Sequence, residues 1–364
     1  MKNLDLDKSS WKRVKFGDVV VEPKETCKDI AAEGIVHVVG LEHIDTGDIH
    51  LRKSATTEES TTFTKKFREG DVLFGRRRAY LKKAAQAKFD GICSGDITVF
   101  RAQKNLIPEL LPFIVNNDKF FDYAIKHSAG GLSPRVKFKD LSNYEFLLPP
   151  KEEQAKLAEL LWAMDEVIER EKYVLERLEI LKLSFVKEEI FQKAENDNID
   201  FIKLGDIFDI KTGNKNAEDS DKDGIYPFFT RSIETQKINT FNYDQEALIL
   251  PGEGNFQIKY FNGKFDVHQR TYILSKKKEA NLNLELYRDI VQAKVGELVQ
   301  KSVGSTVDSL RKPIIESIKV PYLPQELQNN LFKKCSKHDS IINSLNLNLS
   351  SSQTLQKSLI NQVF

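Results

Sequence analysis

Three consecutive arginines stand at the centre of a basic segment of this sequence. The apolar run Asp71–Phe74 precedes them and predicts a strand that delivers them to a turn. The segment's candidate DNA contacts are Arg76, Arg77, Arg78, Tyr80, Lys82 and Lys83. Guanidinium groups pair bidentately with guanine edges or phosphate oxygens, whereas lysines act as point charges beside the backbone. The segment therefore predicts DNA contact, with a solvated loop carrying a few ion pairs as the alternative.

Charge is unevenly distributed along the chain. Residues 63–104 contain eleven Lys and Arg against four Asp and Glu, a net charge of +7, although the whole chain carries only +1. Residues 151–200 contain eight Lys and Arg against fourteen Asp and Glu, a net charge of −6. Because salt screens charges beyond about 8–10 Å, the local field matters more than the total. The sequence thus predicts a basic head followed by an acidic segment.

Two further segments of the first half carry candidate contacts. Phe89–Asp96 places small residues, including Ser94, before a predicted strand, where backbone can approach a ligand closely or simply turn. After Gly130 and Gly131 comes a polar and basic loop with Ser133, Arg135 and Lys137, and its counterpart in the second half runs from Ser305 to Arg311. Each loop is a candidate phosphate contact or a cap for the next element.

The second half carries a different polar set, consisting of Gln257, Lys259, His268, Gln269 and Arg270. Gln and Arg side chains pair with adenine and guanine edges respectively. The alternative is an ordinary surface with one satisfied histidine. Two similar frames with unlike polar residues are what two different recognition domains require.

Catalytic motifs are absent from the sequence. It has no GxxxxGK[ST] loop, no GxSxG elbow and no HExxH pair. His43 and His50, beside Glu42, Asp45 and Asp48, form a conceivable metal site, but a turn after a strand is favoured. The three cysteines share no CxxC spacing, which fits reduced thiols in a cytoplasm, and no apolar run predicts a membrane span. We therefore expect no resident cofactor or metal and no catalysis by this chain.

Two copies of one unit account for the length of the chain. Lys15–Val19 recurs as Lys203–Ile207, and Pro150 and Ser184 recur 174 positions later as Pro324 and Ser358. Solenoid repeats are about 20–50 residues long, so this period indicates a duplicated domain-plus-helix unit. We predict domains at 1–148 and 196–322, and long helices at 149–195 and 323–364.

Each domain shows a mixed α/β pattern. In the first, strands are predicted at Ile35–Val39, Asp71–Phe74 and Ile97–Phe100, and one helix is predicted over Leu106–Ile125. In the second, strands are predicted at Ala247–Leu250 and Thr271–Leu274. These elements must position the polar segments described above.

The two long helices each carry an apolar heptad pattern. In the first, the pattern comprises Leu157, Leu160, Met164, Val167, Val174, Leu178, Leu181 and Phe185. A lone helix of this length needs a partner for its apolar face, so we expect the two helices to pack together. A two-fold relation makes them antiparallel, whereas copies related by translation stack side by side, and the tandem repeat alone leaves both open.

The chain resembles the specificity subunits of Type I restriction–modification systems. The resemblance rests on Val39–Ile44, Gly70–Lys83, Phe89–Asp96, Gly131–Arg135, Leu148–Gln154 and the helix ends near Phe191 and Phe364. It implies an α+β fold with two target-recognition domains separated by two long helices packed as an antiparallel coiled coil in a pseudo-two-fold arrangement.

The resemblance also implies a function. Each domain would recognise one half of a split sequence in double-stranded DNA, and the helices would set the gap between the halves. Two methyltransferase subunits carrying S-adenosylmethionine would dock on the helices, and restriction subunits using ATP and Mg would join them. The alternative of a different class is a coiled-coil adaptor whose two heads bind proteins.

Overall fold

The computed structural model describes residues 7–56, 62–302 and 309–364. They fall into two compact units that meet in sequence after Glu171 and after Leu347: the described residues up to Glu171 form one with Asn348–Phe364, and those from Lys172 to Leu347 form the other. Each unit contains strands and helices, so the predicted mixed α/β domains with long helices are confirmed. The four-segment division at residues 148, 195 and 322 stays a prediction.

Among its described residues, the first unit has ten short strands interspersed with helices. The strands are β1 Lys12–Lys15, β2 Val20–Val21, β3 His37–Val39, β4 Ala55–Thr56, β5 Lys65–Phe67, β6 Val72–Gly75, β7 Ala84–Gln86, β8 Gly91–Cys93, β9 Ile97–Ala102 and β10 Glu145–Leu148. The helices are α1 Phe16–Val19, α2 Leu111–Val115, α3 Asp118–Lys126, α4 Phe138–Leu141 and α5 Lys151–Val186, with 3₁₀ turns at Leu41–His43, Ala79–Leu81 and Pro108–Leu110.

The described part of the first unit has three sheets, and the two that contain β1 and β6 contribute side chains to an aromatic core. Their strand orders are β1-β10, β2-β9-β6-β7 and β4-β3-β8-β5, and β3 and β8 run parallel. Phe16, Phe74, Phe100 and Phe120 are buried together with ring centroids 4.9–6.3 Å apart. Aromatic rings at such spacing stabilise a core beyond the area that they bury. This core fixes the ends of β6 and β9, where the basic segment emerges.

The second unit follows the same plan with fewer and longer strands. A π-helical stretch Lys187–Gln192 and α6 Lys193–Asn196 lead to β11 Phe201–Lys203, β12 Phe208–Thr212, β13 Tyr226–Phe229, β14 Gln236–Ile238, β15 Tyr243–Pro251, β16 Lys259–Val267, β17 Thr271–Lys276 and β18 Lys319–Pro321. The helices are α7 Leu204–Ile207, α8 Leu284–Ala293, α9 Val295–Gln300, α10 Lys312–Ser317 and α11 Gln325–Val363, and Ala217–Asp219 forms a 3₁₀ turn.

One six-stranded sheet dominates the second unit. Its order is β12-β17-β15-β16-β13-β14, β13 and β16 run parallel, and β11 pairs separately with β18. β15 and β16 are each continuous over nine residues. The first unit has two strands, β5 and β6, where the second has the single strand β15. A turn at Gly70, whose φ is +86°, separates β5 from β6. Such a turn requires a left-handed backbone, which glycine adopts without strain.

The long helices pair antiparallel within the second unit. Lys182 of α5 contacts Asp339 of α11, and Glu189, further along the chain, contacts the earlier residue Lys334 at 3.3 Å. Within the first unit, Gln356 donates to the Leu161 carbonyl, and Leu157 and Leu161 share a buried cluster with the end of α11. The predicted packing of the two helices is therefore confirmed inside each unit.

The apolar heptad pattern of α5 occupies two positions of each seven-residue repeat, and only one of these positions is covered within the chain. Alternate members of the pattern on α5 are buried or half-buried, namely Leu157, Met164, Leu178 and Phe185. The other members are exposed by 43–59%, namely Leu160, Val167, Val174 and Leu181. A single partner helix covers only part of the apolar face, which explains why half of the seam faces solvent.

The single helix predicted over Leu106–Ile125 is wrong. Helix α2 ends before Asn116, and Asn117 begins α3 as an N-cap that accepts from the Lys119 amide at 2.8 Å. Asparagine favours such caps because its side chain satisfies an amide that has no partner within the helix. The apolar spacing continues across the break, so periodicity alone did not reveal it.

A buried glutamine locks the start of each long helix to the preceding domain. The Oε1 atom of Gln154 accepts from the Ile107 amide at 2.9 Å, and its Nε2 atom donates to the carbonyls of Asn105 and Pro149. Gln328 repeats this with the Asn283 amide and the carbonyls of Asn281 and Leu323. The repeated proline-to-glutamine spacing thus has a structural cause.

Among the described residues, no helix has the length and apolar character to cross a membrane. All three cysteines lie in the described part of the chain, where each is buried and unpaired.

Candidate nucleic-acid interface

Asp96 joins two arginines at the end of strand β6 in the first unit. Its carboxylate accepts from Arg77 Nη1 at 3.1 Å and from Arg135 Nε at 2.8 Å. Arg77 Nη2 also donates to the Ser133 hydroxyl at 3.1 Å. The carboxylate is 21% exposed, against 38% and 45% for the side chains of Arg77 and Arg135. The arrangement presents two oriented guanidinium groups above one shielded acid.

The backbone around Asp96 is tied together by hydrogen bonds. The Arg76 amide donates to the Asp96 carbonyl at 3.0 Å, and the Arg78 amide donates to the Pro134 carbonyl at 2.8 Å. Arg78 has a left-handed backbone with φ of +54°, which costs energy for a residue other than glycine. Its side chain is exposed at this turn. The segment is thus held in a defined and strained conformation rather than a loose loop.

Asp96 stays ionised in this environment. Partial burial raises its pKa, but hydrogen bonds from Arg135 and Arg77 outweigh burial and hold the pKa below its ordinary value. The two guanidinium groups therefore keep a charged partner throughout the neutral range.

The other predicted contacts of the first unit divide into two groups. Tyr80 and Lys137 are exposed, and the Ser94 hydroxyl accepts from the Asp96 amide. Lys82 pairs with Asp118 of α3 at 2.7 Å, and Lys83 donates to the Leu41 carbonyl at 2.7 Å. The two lysines therefore hold the segment in place in this structure, and their assignment to DNA stays a prediction.

The local charge is lower than the sequence count indicates. Six of the eleven cations between residues 63 and 104 form ion pairs, most with acids outside that window, namely Lys65, Lys66, Arg68, Arg77, Lys82 and Arg101. Glu25, for example, contacts both Arg68 and Arg101. Of the other five cations, Arg76 and Arg78 stand at the turn after β6, whereas Lys83, Lys88 and Lys104 lie further along the chain.

In the second unit a glutamate occupies the centre of a similar cluster. Glu253 follows β15, and its Oε1 atom accepts from Arg270 Nη1 at 2.7 Å, while Oε2 lies 3.6 Å from Arg231 Nη1. The Glu253 side chain is 13% exposed, whereas those of Arg270 and Arg231 are 59% and 64% exposed. This unit, too, presents two guanidinium groups over one shielded carboxylate.

His268 and Gln269 support this second cluster. His268 is buried, and its Nδ1 atom accepts from the Arg270 amide at 3.1 Å. Burial lowers the pKa of His268, and the nearby Arg231 and Arg270 lower it further. Gln269 Nε2 donates to the Asn216 side chain at 2.9 Å. A neutral histidine thus shapes the turn while Arg270 points outward.

The remaining predicted contacts of the second unit are dispersed. Lys259 Nζ donates to the Ile233 carbonyl at 2.6 Å, and burial lowers its pKa. Gln257 and Arg311 are exposed, and Arg311 immediately precedes α10. Ser305 lies outside the described residues. No contact here tests their proposed role, so these assignments stay predictions.

The two clusters occupy the same place in the duplicated fold. Four backbone hydrogen bonds, written from amide to carbonyl, recur in both units. In the first unit they are Arg76 to Asp96, Val136 to Arg76, Ile97 to Ser94 and Ser94 to Val39. In the second unit their counterparts, in the same order, are Gly252 to Arg270, Leu310 to Gly252, Thr271 to His268 and His268 to Phe229. Isolated bridges link Arg77 with Arg135 and Glu253 with Ser309. Lys137 and Arg311 both sit at the start of the following helix. One backbone frame therefore carries both sets of side chains.

Sequence reasoning missed Arg231, Glu253 and the central role of Asp96. The repeat offset of 174 places Asp96 on Arg270, so this correspondence was available from the sequence. Arg77 corresponds to Glu253 only with an offset of 176 residues, because the segment between Arg77 and Asp96 is two residues longer than that between Glu253 and Arg270. An offset of 174 alone therefore does not align this pair.

The histidine and acid cluster near Glu42 forms a turn whose side chains have other partners. His43 Nδ1 accepts from the Gly40 amide, and Asp45 pairs with Lys53. His50 Nε2 lies 2.7 Å from Asp165 of α5. Within the described residues no group of histidine, cysteine or acid side chains is arranged to hold a metal ion.

A protein-family comparison matches both halves of the chain. The family model described as Type I restriction modification DNA specificity domain matches residues 8–179 and again residues 196–351. The two matches contain the two arginine clusters.

Curated relatives include specificity subunits. The chain is 32% identical over 130 residues to the EcoDI specificity subunit of Escherichia coli, which covers 36% of this chain and 28% of that protein. It is 27% identical over 219 residues to the MjaIX specificity subunit of Methanocaldococcus jannaschii, which covers 54% of this chain and 46% of that protein. The matches thus span less than half the length of these relatives.

Solved structures share the fold. The S subunit of a Type I restriction–modification system from M. genitalium superposes with a TM-score of 0.54 at 15% identity, covering 100% of this chain and 98% of that one. A chain from a study of complex assembly and conformational transition of a type I R-M system gives 0.52 at 19% identity, covering 97% and 96%.

Proposed function

The chain belongs to the family of Type I restriction–modification DNA specificity proteins, and from this we propose that it recognises a bipartite DNA target. Each unit binds one half of the target, and the chain has no catalytic role of its own. The observation that carries the proposal is the repeated frame that presents two arginines on one shielded acid in each unit. Exposed guanidinium groups on a fixed frame suit base edges and phosphates.

The two units carry different side chains at matching backbone positions, which supports recognition of two different half-sites. Arg77 and Arg135 carry the contacts in the first unit, whereas Arg231 and Arg270 carry them in the second. Because these arginines start from different elements, their guanidinium groups address the DNA from different points. Identical halves would need matching side chains at matching positions.

The exposed half of the α5 seam supports methyltransferase docking. Leu160 and Val167 are exposed in the first unit, and Val174 and Leu181 in the second, all at seven-residue steps. Regularly spaced exposed apolar side chains on a helix fit the groove of a further helix. We assign this face to methyltransferase subunits, two per chain, which supply S-adenosylmethionine, while restriction subunits supply ATP and Mg chemistry. A cytoplasmic location follows from this assignment.

Salt-dependent DNA binding tests the proposal against a protein-binding adaptor. Each phosphate contact lowers log K by about 0.9 per unit of log salt for duplex DNA. The full chain with its methyltransferase subunits is titrated against duplex libraries at several salt concentrations. A steep slope and one enriched split sequence are expected. A flat slope with no enriched sequence contradicts DNA recognition and favours the adaptor.

Methylome sequencing provides the matching test in cells. Cells carrying the chain with its methyltransferase should show methylation at one split motif, detected by long-read sequencing. Methylation at a continuous motif contradicts recognition by two separate units.

A further inference from the structure

The acid and the arginine of the two clusters have exchanged places. Arg77 of the first unit matches Glu253 of the second, because the bridge from Arg77 to Arg135 corresponds to the bridge from Glu253 to Ser309. Asp96 matches Arg270, because the backbone carbonyl of each accepts the first amide after the corresponding strand. That amide belongs to Arg76 after β6 and to Gly252 after β15. The ion pair therefore persists at one place in the fold with its sign reversed.

Exposure distinguishes the roles within each cluster. The carboxylate is the most shielded member in both units, at 21% for Asp96 and 13% for Glu253, and each has two arginine neighbours. A carboxylate facing DNA directly repels phosphates, whereas one behind a guanidinium fixes its plane and direction. Arginine held in this way loses less rotamer freedom when it binds.

We propose that Asp96 and Glu253 are positioning residues, each of which orients two arginines for contact with base edges. Arg77 and Arg135 make these contacts in the first unit, and Arg231 and Arg270 make them in the second. Guanine, with acceptors at O6 and N7, is the base that suits such a guanidinium. This inference rests on the proposed DNA-recognition function and adds the residues that set specificity.

Neutralising Glu253 tests the proposal, because a positioning role and simple charge repulsion predict opposite effects on DNA binding. Removing a negative charge near DNA strengthens binding to any sequence. If Glu253 positions arginines, E253Q instead weakens discrimination at the second half-site by about tenfold, or about 1.4 kcal/mol, because a bidentate contact to a base edge is lost. Binding to unrelated duplex stays equal or becomes tighter.

The experiment uses the full chain with its methyltransferase subunits and duplexes altered at single base pairs of either half-site. E253Q should lose discrimination only in the second half-site and D96N only in the first. The matched control is E246Q, which removes the charge of a half-buried carboxylate that pairs with Lys276 in the second unit, keeps an oxygen for the Tyr260 hydroxyl, and should leave both half-sites unchanged. Thermal unfolding of each variant checks its fold.

An exchanged double variant gives an independent readout. Glu253→Arg with Arg270→Asp places the second unit's pair in the order of the first. The pair between positions 253 and 270 is retained, although Arg231 loses its carboxylate neighbour. Thermal unfolding is therefore measured beside base preference, which we expect to change in the second half-site alone. If E253Q itself unfolds, Arg231→Gln and Arg270→Gln remove the exposed guanidinium groups singly and should each lose the same discrimination.

Three results separate the possible failures. If the parent chain selects no sequence, the proposed function fails. If the parent selects a split sequence but E253Q and D96N discriminate as well as it does, the positioning role is overturned and the proposed function stands. If the variants weaken all sequences equally, the arginines contact phosphates, which also overturns base contact.

Discussion

Gln154 and Gln328 show how one side chain can fix a helix to a domain. Each amide is about 1% exposed and satisfies one backbone amide and two backbone carbonyls. Because one amide and one carbonyl partner of each glutamine lie in the preceding domain, the helix start cannot move without leaving buried polar groups unpaired. Burying an unpaired polar group costs about 1–3 kcal/mol.

We expect Gln154→Ala and Gln328→Ala each to lower the free energy of unfolding by about 3 kcal/mol, because each leaves buried backbone groups without partners. Chemical denaturation followed by circular dichroism measures the change. The control is Gln353→Ala, an exposed position on α11 where the change should stay within about 0.5 kcal/mol. Equal effects at Gln154 and Gln353 would contradict a locking role.

His268 should titrate below its ordinary pKa. Burial and the neighbouring arginines lower its pKa from 6.5, while the Glu253 carboxylate raises it. The folded chain thus binds this proton less readily than the unfolded chain. The stability contributed here is full above pH 6.5 and is lost as pH falls from there toward the folded pKa.

NMR titration of the His268 ring protons measures this shift. A midpoint below 6.5 is expected for the parent chain. Glu253→Gln should lower the midpoint further, because a carboxylate that favours the imidazolium is removed. An unchanged midpoint would show that Glu253 does not act on His268.

At the residue scale, the sequence predicted which polar residues lie at the two clusters better than it predicted what each side chain does there. Three of the predicted arginines, with Ser133 and His268, do lie at the two clusters, namely Arg77, Arg135 and Arg270, because strand ends and glycine loops are visible in a sequence. Asp96 looked like an ordinary turn residue, since its importance comes from Arg135, 39 positions away. Glu253 carried no motif at all, because only the alignment of the two backbones places it opposite Arg270.

At the scale of elements, α5 has two apolar faces with different fates. The face containing Leu157 and Leu161 is buried within the first unit, whereas Leu160 and Val167 on the neighbouring face are exposed. The heptad spacing predicted the helix and its seam. It could not predict which half of the seam the chain covers itself, because that depends on how many helices pack there.

We expect the double variant Val174→Ser with Leu181→Ser to lose methyltransferase binding while keeping its fold. Both side chains are exposed by 43% and 59%, so their loss should change the free energy of unfolding by about 0.5 kcal/mol or less. Co-purification and gel filtration measure the complex. Ile225→Ser, 76% exposed on the second unit, is the control and should still bind. Retained binding by the double variant would place docking elsewhere.

At the scale of the whole molecule, duplication explains why one chain can have two specificities. Each unit has its own core, and matching backbone bonds support the turn bearing its cluster. The frame can stay constant while the cluster side chains change, since the four arginines are 38–64% exposed and no member of either cluster belongs to the buried apolar core. The sequence revealed this duplication, whereas the internal shift from 174 to 176 became evident only from strand pairing.

Exchange of a whole domain tests this independence. Replacing residues 201–322 with the equivalent domain of another specificity subunit should change one half of the methylated motif and preserve the other. The physical reason is that Arg77, Arg135 and Asp96 contact one another within the first unit and have no member in the replaced segment. Long-read methylome sequencing identifies both halves at once. A change in both halves would mean that the second domain alters the geometry of the first cluster, and the separate recognition of half-sites would have to be abandoned.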